Sequence, residues 1–480
     1  MRHLVLLLAA CLGVTIAAAE VPVPTVTGPI TGPGNPFVAS TTIDLASLGY
    51  SESEFFLEGT ATGYTSAAPL EDDGKWTATA ATSADFKTRI LVRRPTDPAR
   101  FNGTVVVEWL NVSGGLDAAP DWIFAHTLLM REGYAWVGVS AQKVGIDGGS
   151  SPIGLNLSLK ALNPDRYGSL VHPGDTFSFD MFSQVAAAIR SGTPPPLGAL
   201  LVERVIAVGE SQSAYRLTTY VNAVHRIAAI YDGYLIHSRA GSSAGLSQAP
   251  EAEVPAPEIV FVRDDLTAPV ITLQSETDIF LLGFLEARQN DSKRFRLWEV
   301  AGTAHGDLYQ LIAGWNDEGP GALDTTYLAP VIAPIPGIIE CDAAVNQGPH
   351  HYVVSAAISQ LDRWIRFPKR APRKAPRLKV DEDAFVLDKH GNVRGGIRTP
   401  QVDVPLATLS GLGQTGAAFC RLFGTTVPFD DATIASLYPS NRKYVAKVKR
   451  SGKAAVKRGF LLSTDYDAIV AAAEASGVGE

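Results

Sequence analysis

Ser211 lies where an apolar run meets a helix-like stretch, in the segment VIAVGESQSAYRL of residues 205–217. The apolar run stops at Gly209, just before the serine. A strand that ends in Gly-x-Ser-x-Gly before a helix is a nucleophile elbow, which holds a reactive serine on a tight turn. The last position here is Ser213, which is larger than glycine but still small. The stretch alone leaves two interpretations open: an elbow with one changed position, or a strand that happens to end in small residues.

An acid and a histidine follow the serine in the order that such an elbow requires, which is Ser, then Asp or Glu, then His. The segment PVITLQSETDIF supplies Glu276 and Asp278 after a strand-like run, and FRLWEVAGTAHGDLY supplies His305 after the last such run. Serine is a weak nucleophile that needs an adjacent base, and the acid orients that base. We predict a triad of Ser211, His305 and Asp278. The shorter carboxylate beyond the turn is favoured, and Glu276 stays open as the alternative acid.

A serine nucleophile also needs backbone N–H groups that stabilise a negatively charged oxygen. One donor is expected to be the N–H of Gln212, the residue after the nucleophile. The second is expected in WLNVSGGLD, residues 109–117, where adjacent glycines permit close approach of the backbone. Val112 or Ser113 would supply that N–H. The alternative is a glycine-rich turn without a catalytic part.

Strand-like runs alternate with helix-like runs along most of the chain, which is typical of a mostly parallel sheet. We predict an α/β fold with a central sheet of about eight strands, helices on both faces and an antiparallel first pair at 55–65 and 88–95. Further strands are predicted over 104–111, 135–142, 205–211, 228–238, 269–275 and 295–302. Helices are predicted over 121–134, 180–190, 213–227 and 350–367.

The composition divides the chain into four predicted parts. Residues 1–19 are a signal peptide, and residues 20–50 form an extended leader rich in Pro, Gly and Thr. Residues 51–367 are the catalytic domain. Residues 368–480 form a C-terminal extension packed on that domain, with a hairpin around KHGN at 389–392 and two terminal helices.

The N-terminus MRHLVLLLAACLGVTIAAAE has a charged start, an apolar run and an Ala-x-Ala site, which together predict a secretory signal cleaved after Ala19. The mature protein is therefore expected in the periplasm or outside the cell. A lipoprotein form attached through Cys11 is the alternative. No later stretch approaches the roughly 20 apolar residues of a membrane span, so none is predicted.

Only Cys341 and Cys420 remain after that cleavage. In an oxidising compartment they pair as a disulfide, and two buried free thiols are the alternative. We predict no metal site, because neither cysteine has a close ligand partner and the adjacent side chains of His350 and His351 point in different directions. The net charge of −8 and the absence of a long basic block argue against a nucleic-acid partner.

Several segments in combination resemble a family of secreted alpha/beta hydrolase domain proteins. They are TRILVRRP, FNGTVVVEWLNVSGGLD, GESQSAYRL, SETDIF, GTAHGD, and the late segments at 395–405 and 418–429. The resemblance extends over roughly residues 40–480, and Gly-Glu-Ser-Gln-Ser is that family's form of the elbow. It implies an α/β-hydrolase fold with Ser211, an acid at 278 and His305. It implies little about the substrate, since this fold supports many chemistries.

Together these features predict an exported serine hydrolase that cleaves carboxylic esters, either small molecules or groups on a polymer, without a cofactor. An amidase, thioesterase or lactonase would use the same triad. A non-catalytic binding protein on a hydrolase scaffold is a separate alternative. The sequence does not predict the oligomeric state.

Overall fold

The computed structural model describes residues 20–149, 154, 156–191, 196–316, 330–416 and 419–480. The predicted signal peptide, with Cys11, lies outside these ranges. The strands are β1 (Thr25–Thr27), β2 (Tyr50–Thr65), β3 (Thr79–Pro95), β4 (Thr104–Trp109), β5 (Ala135–Val139), β6 (Arg204–Glu210), β7 (Gly233–His237), β8 (Val270–Gln274), β9 (Phe295–Glu299), β10 (Val380–Asp381), β11 (Ala384–Phe385), β12 (Ala407–Ser410) and β13 (Thr425–Pro428).

The helices fill most of the connections between these strands. They are α1 (Pro120–Arg131), α2 (Lys143–Asp147), α3 (Leu159–Leu162), α4 (Pro164–Tyr167), α5 (Ser178–Ser191), α6 (Gln212–Thr219), α7 (His225–Ala228), α8 (Glu276–Phe280), α9 (Leu308–Asn316), α10 (His350–Arg366), α11 (Pro400–Asp403), α12 (Asp431–Leu437), α13 (Asn441–Arg458) and α14 (Ser463–Ala475). Within the described ranges, none of them has the length and apolar content that a membrane crossing requires.

Among the described residues, nine strands form one sheet in the order β1-β2-β3-β5-β4-β6-β7-β8-β9. The strands β5, β4, β6, β7, β8 and β9 pair in parallel, while β1, β2 and β3 pair antiparallel. The prediction of a mostly parallel sheet with an antiparallel start is confirmed. The additional strand is β1, which lies in the segment predicted as a leader and pairs Thr25 with Glu58 of β2.

Side chains of the central strands alternate between two buried layers, as the two-residue period of a strand requires. On β4, Val105 and Val107 join one apolar cluster together with residues of α5 and α6. Val106 points the other way, into a cluster with residues of α1 and α10. Every residue of β4 is buried, which accounts for the apolar residues Val105, Val106, Val107 and Trp109 at four of its six positions. Helices therefore cover both faces, as predicted.

The strand order reverses direction at β4, which is where a sheet of this kind forms a crevice at its carboxyl edge. The chain passes from β4 through α1 to β5 on one side, then returns to place β6 on the other side of β4. The loop after β4 and the turn after β6 consequently lie next to each other. These two connections carry the predicted oxyanion donors and Ser211.

The C-terminal extension packs partly onto the sheet and partly on itself, because its helices α13 and α14 share an apolar cluster of their own. Its residues Leu378, Val402 and Leu409 belong to the same apolar cluster as the central strands. The strands β12 and β13 pair antiparallel. Leu387 and Val393 form an antiparallel bridge around the predicted turn. Where two terminal helices were predicted there are three, because the short α12 precedes α13 and α14.

A disulfide joins Cys341 to Cys420, which are 79 residues apart in the sequence. Replacing both cysteines by alanine is expected to lower the free energy of unfolding by about 4 kcal/mol, because the cross-link closes a long loop and so restricts the conformations of the unfolded chain. Guanidinium denaturation measures this difference. Reduction of the wild type should lower its stability to that of the variant, and equal stability of all three samples would contradict the prediction.

Candidate active site

The elbow places Ser211 between the end of β6 and the start of α6. Its backbone is in an uncommon conformation, with φ of 59° and ψ of −118°, and its N–H donates to the carbonyl of His237 on β7 at 2.9 Å. A Cβ at Gly209 would lie 3.1–3.2 Å from atoms of Ser213. The strand end and the first turn of the helix are thus close enough to need small residues at both positions, and Ser213 meets that need without being glycine.

The three predicted triad residues meet at the carboxyl edge of the sheet. The hydroxyl of Ser211 lies 2.8 Å from Nε2 of His305, and Nδ1 of His305 lies 2.7 Å from Oδ1 of Asp278. The second oxygen of Asp278 accepts from the N–H of Ser275 at 2.6 Å. Asp278 is fully buried and His305 is nearly so. The carboxylate is therefore held at both oxygens, and the imidazole is held between the acid and the serine.

Opposite charges around the imidazole favour its protonated form. Burial lowers the pKa of His305, but the carboxylates of Glu210 and Asp278 outweigh burial and raise that pKa to about 9. Burial would raise the pKa of Asp278, but the charge of His305 and its hydrogen bond outweigh burial, so that this pKa falls below its ordinary value. Asp278 is thus the charged partner of the imidazole.

Glu276, the alternative acid, does not reach the imidazole. Its Oε1 accepts from the N–H of Gly302 at 2.6 Å, and its Oε2 accepts from the N–H of Gly411 at 2.9 Å. Burial raises the pKa of this carboxyl to about 7. The side chain ties the loop that precedes His305 to the C-terminal extension.

Thr277, between the two acids, connects the same parts of the chain. Its hydroxyl donates to the carbonyl of Gly411 at 2.6 Å and accepts from the N–H of His305 at 3.1 Å. The N–H of Gly306 donates to the carbonyl of Leu422 at 3.1 Å. The C-terminal extension thereby supports the acid segment and the histidine loop, a role that nothing in the sequence pattern indicated.

The backbone N–H groups predicted to stabilise the oxyanion differ in whether they already have a hydrogen-bond acceptor within the protein. Gln212 is the first residue of α6, so its N–H belongs to the open first turn of that helix. The N–H of Ser113 donates to Oδ1 of Asn111 at 2.8 Å and is therefore occupied. Val112 stays the candidate from this loop.

Two polar residues that the sequence analysis did not single out connect the elbow to the loop after β4. The amide of Asn111 donates to the backbone carbonyl of Glu210 at 3.1 Å and to its Oε2 at 3.3 Å. The other carboxyl oxygen of Glu210 lies 3.3 Å from Nε2 of His305. Burial raises the pKa of Glu210 to about 8. The only signal for this residue in the sequence is its place directly before the nucleophile.

A buried histidine pair lies beside the triad. Nδ1 of His237 lies 2.8 Å from Oδ1 of Asp121, and its Nε2 lies 2.9 Å from Nε2 of His350. The ring of His351 instead stacks on Tyr309, with ring centroids 3.8 Å apart. His350 and His351 therefore have different neighbours. Burial lowers the pKa of His237 to about 3 and also lowers that of His350, so both rings of the pair are neutral.

A parallel sheet that reverses order at β4, with a strained serine after β6, defines an α/β-hydrolase fold. The chain belongs to the alpha/beta hydrolase domain family, whose model matches residues 20–471. This confirms the family expected from the sequence.

Solved structures with some likeness to the chain include esterases and a serine hydrolase. An esterase from Rhizomucor miehei is 11% identical, with 65% of this chain and 84% of that chain covered and a TM-score of 0.31. A lidless α/β serine hydrolase from Xanthomonas campestris is 16% identical, with 46% and 80% covered and a TM-score of 0.27. An esterase from Pyrobaculum calidifontis is 12% identical, with 44% and 71% covered and a TM-score of 0.26. A comparison with curated proteins finds no match.

Proposed function

We propose that the chain is an exported serine hydrolase that cleaves carboxylic esters with Ser211, His305 and Asp278 as its triad. The observation that carries the proposal is the continuous set of short contacts from the hydroxyl of Ser211 through both ring nitrogens of His305 to Asp278. Nucleophile, base and orienting acid within hydrogen-bond reach are the requirements of acyl transfer through serine.

In the first half of the reaction the oxygen of Ser211 attacks the ester carbonyl while its proton passes to Nε2 of His305. The negatively charged oxygen of the tetrahedral intermediate is stabilised by the N–H groups of Gln212 and Val112. The intermediate then collapses, its bond to the alcohol oxygen breaks, and His305 gives its proton to the leaving alcohol. An acyl group remains on Ser211.

In the second half a water molecule replaces the alcohol. His305 takes a proton from the water, which attacks the acyl carbonyl, and then returns a proton to the oxygen of Ser211 as the acid leaves. Asp278 accepts from Nδ1 of His305 throughout, so Nε2 is the nitrogen that exchanges protons with the substrate.

The export part of the proposal has separate support. The N-terminal sequence has the three regions of a secretory signal. The disulfide between Cys341 and Cys420 is a bond that persists in oxidising compartments and is rare in the cytosol. Mass spectrometry of the protein purified from culture supernatant and periplasm, with an N-terminus at Glu20, tests this part.

A fluorophosphonate probe, which reacts with activated serines, tests the triad directly. We expect one covalent adduct on the wild type in intact-mass spectra and none on Ser211→Ala. Ser213→Ala is the matched control, because Ser213 is a buried serine of the same elbow, and it should still be labelled.

Each other outcome contradicts a defined part of the proposal. An adduct that survives in Ser211→Ala would mean that the nucleophile lies elsewhere. A folded wild type without an adduct would favour a binding protein on a hydrolase scaffold. A labelled wild type that cleaves amides or lactones in preference to simple esters would retain the triad and replace the substrate class.

A further inference from the structure

His305 lies between two carboxyl groups rather than one. Asp278 faces its Nδ1 at 2.7 Å, and Oε1 of Glu210 faces its Nε2 at 3.3 Å. The second contact is to the nitrogen that exchanges protons with Ser211 and the substrate. The proposed triad chemistry gives Glu210 no part, although it is the residue directly before the nucleophile.

The position of Glu210 is held from both sides. As the last residue of β6 it pairs in register with His237 of β7, which fixes its backbone. The amide of Asn111 donates to its carbonyl and to Oε2, which leaves Oε1 toward the imidazole. The carboxyl is only 3% exposed, so water screens its interaction with His305 weakly.

The other titratable groups around this pair come from four elements. Asp278 of α8 is the charged acid of the triad, and Asp121 of α1 lies near enough to raise the pKa of Glu210. His237 of β7 and His350 of α10 both have pKa values that the charge of His305 lowers further, and burial, the larger cause, keeps both neutral. Above the pKa of about 8 to which burial raises the Glu210 carboxyl, Glu210 and Asp278 are thus the two groups whose negative charge favours the imidazolium of His305.

We propose that Glu210 is a positioning residue that stabilises the protonated imidazole of His305, an inference that rests on the proposed serine mechanism. When the proton of Ser211 moves to Nε2, the new positive charge lies between two carboxylates. This arrangement stabilises the tetrahedral intermediate. It also lowers the fraction of free enzyme in which His305 is neutral, because the same charge keeps His305 protonated, and unable to act as a base, up to a higher pH than the ordinary pKa of histidine would give.

The direction of the pH dependence follows from the protonation state that His305 needs in order to act as a base. His305 must be neutral to accept the proton of Ser211, so the rate rises with pH through the pKa of His305. The raised pKa of about 9 predicts a rise at alkaline pH in the wild type. Without the charge of Glu210 that pKa falls, and the rise moves to lower pH.

The test is the rate of fluorophosphonate labelling of the purified full chain between about pH 5 and about pH 10. In Glu210→Gln the midpoint of the rise is expected to move down by about one unit or more, the usual effect of a neighbouring charge. The plateau rate is expected to fall about tenfold, since the imidazolium loses one of its two partners. Glu210→Asp retains the charge and should lie nearer to the wild type.

Glu58→Gln is the matched control, because Glu58 is an exposed carboxylate paired with Lys87 on the surface, and its midpoint should not move. If Glu210→Gln does not fold, as circular dichroism would show, Glu210→Ala removes the same charge and is measured in the same way. A folded, labelled variant with the wild-type midpoint would overturn the role of Glu210 and leave the triad intact. A wild type that takes no label would overturn the proposed function, and this inference with it.

Discussion

Asp278→Asn is expected to lower kcat for an ester such as p-nitrophenyl acetate about 10⁴-fold without unfolding the protein. In the wild type the two carboxyl oxygens accept from Nδ1 of His305 and from the N–H of Ser275. The N–H of Ser275 can only donate, so the single oxygen of asparagine turns toward it. The amide NH₂ then faces Nδ1, which forces the hydrogen of the ring onto Nε2. An imidazole in that tautomer cannot accept the proton of Ser211.

Glu276→Gln is the matched control, since Glu276 is the other buried carboxyl of the same short helix. Both of its oxygens accept from backbone N–H groups, those of Gly302 and Gly411. Glutamine has one oxygen for these two donors, so one buried N–H loses its acceptor at a cost of about 1–3 kcal/mol. This variant should therefore be less stable but retain most of its kcat.

Steady-state kinetics and thermal unfolding of the two variants separate these effects. The expected pattern is a large loss of kcat with little loss of stability for Asp278→Asn, and the reverse for Glu276→Gln. The opposite pattern would identify Glu276 as the acid that orients His305. Equal losses of kcat would mean that the loop geometry, rather than either carboxylate alone, limits the reaction.

The elements around this site were predictable because they are short, buried runs. Every residue of β4 is buried, and the parallel strands β6 and β8 are buried almost throughout as well. The limits of β3 were predicted less well, at 88–95 instead of Thr79–Pro95. Its first residues are mostly exposed and polar, so hydrophobic periodicity cannot distinguish them from a loop. The sequence predicts that β7 starts at 228, but the strand starts at Gly233, because Ala229, with a φ of 46°, ends a helix at that point.

The order Ser, acid, His and the small residues of the elbow were visible as local patterns. The sequence favours Asp278 over Glu276 only through the length and place of the side chain, because the hydrogen bond from the N–H of Gly411 that holds Glu276 spans 135 residues. Asn111 and Glu210 likewise meet across 99 residues. Contacts of this kind are formed by the complete fold, and single-sequence patterns do not contain them.

Arg89→Met is expected to lower the free energy of unfolding by about 3–5 kcal/mol, the largest stability effect that we predict for a single substitution. The guanidinium is fully buried in β3, where it donates to Asp117 at 2.6 Å and to the carbonyl of Phe37 at 2.9 Å. It also lies 3.7 Å from Glu54. Methionine has a similar length but no charge, so the carboxylate of Asp117 would stay buried without its cation. Guanidinium denaturation measures the change.

Lys87→Met is the matched control on the same strand. Lys87 pairs with the exposed Glu58 at 3.3 Å, and such surface pairs contribute less than about 1 kcal/mol. Asp117 lies at the end of the loop that begins with Asn111 and contains Val112, and its neighbour Ala118 closes that loop with two backbone hydrogen bonds to Asn111. Arg89→Met should therefore also slow fluorophosphonate labelling of Ser211, and Lys87→Met should not. An Arg89→Met protein as stable as Lys87→Met would mean that Asp117 does not depend on the guanidinium, and that the loop over the active site is held by its backbone alone.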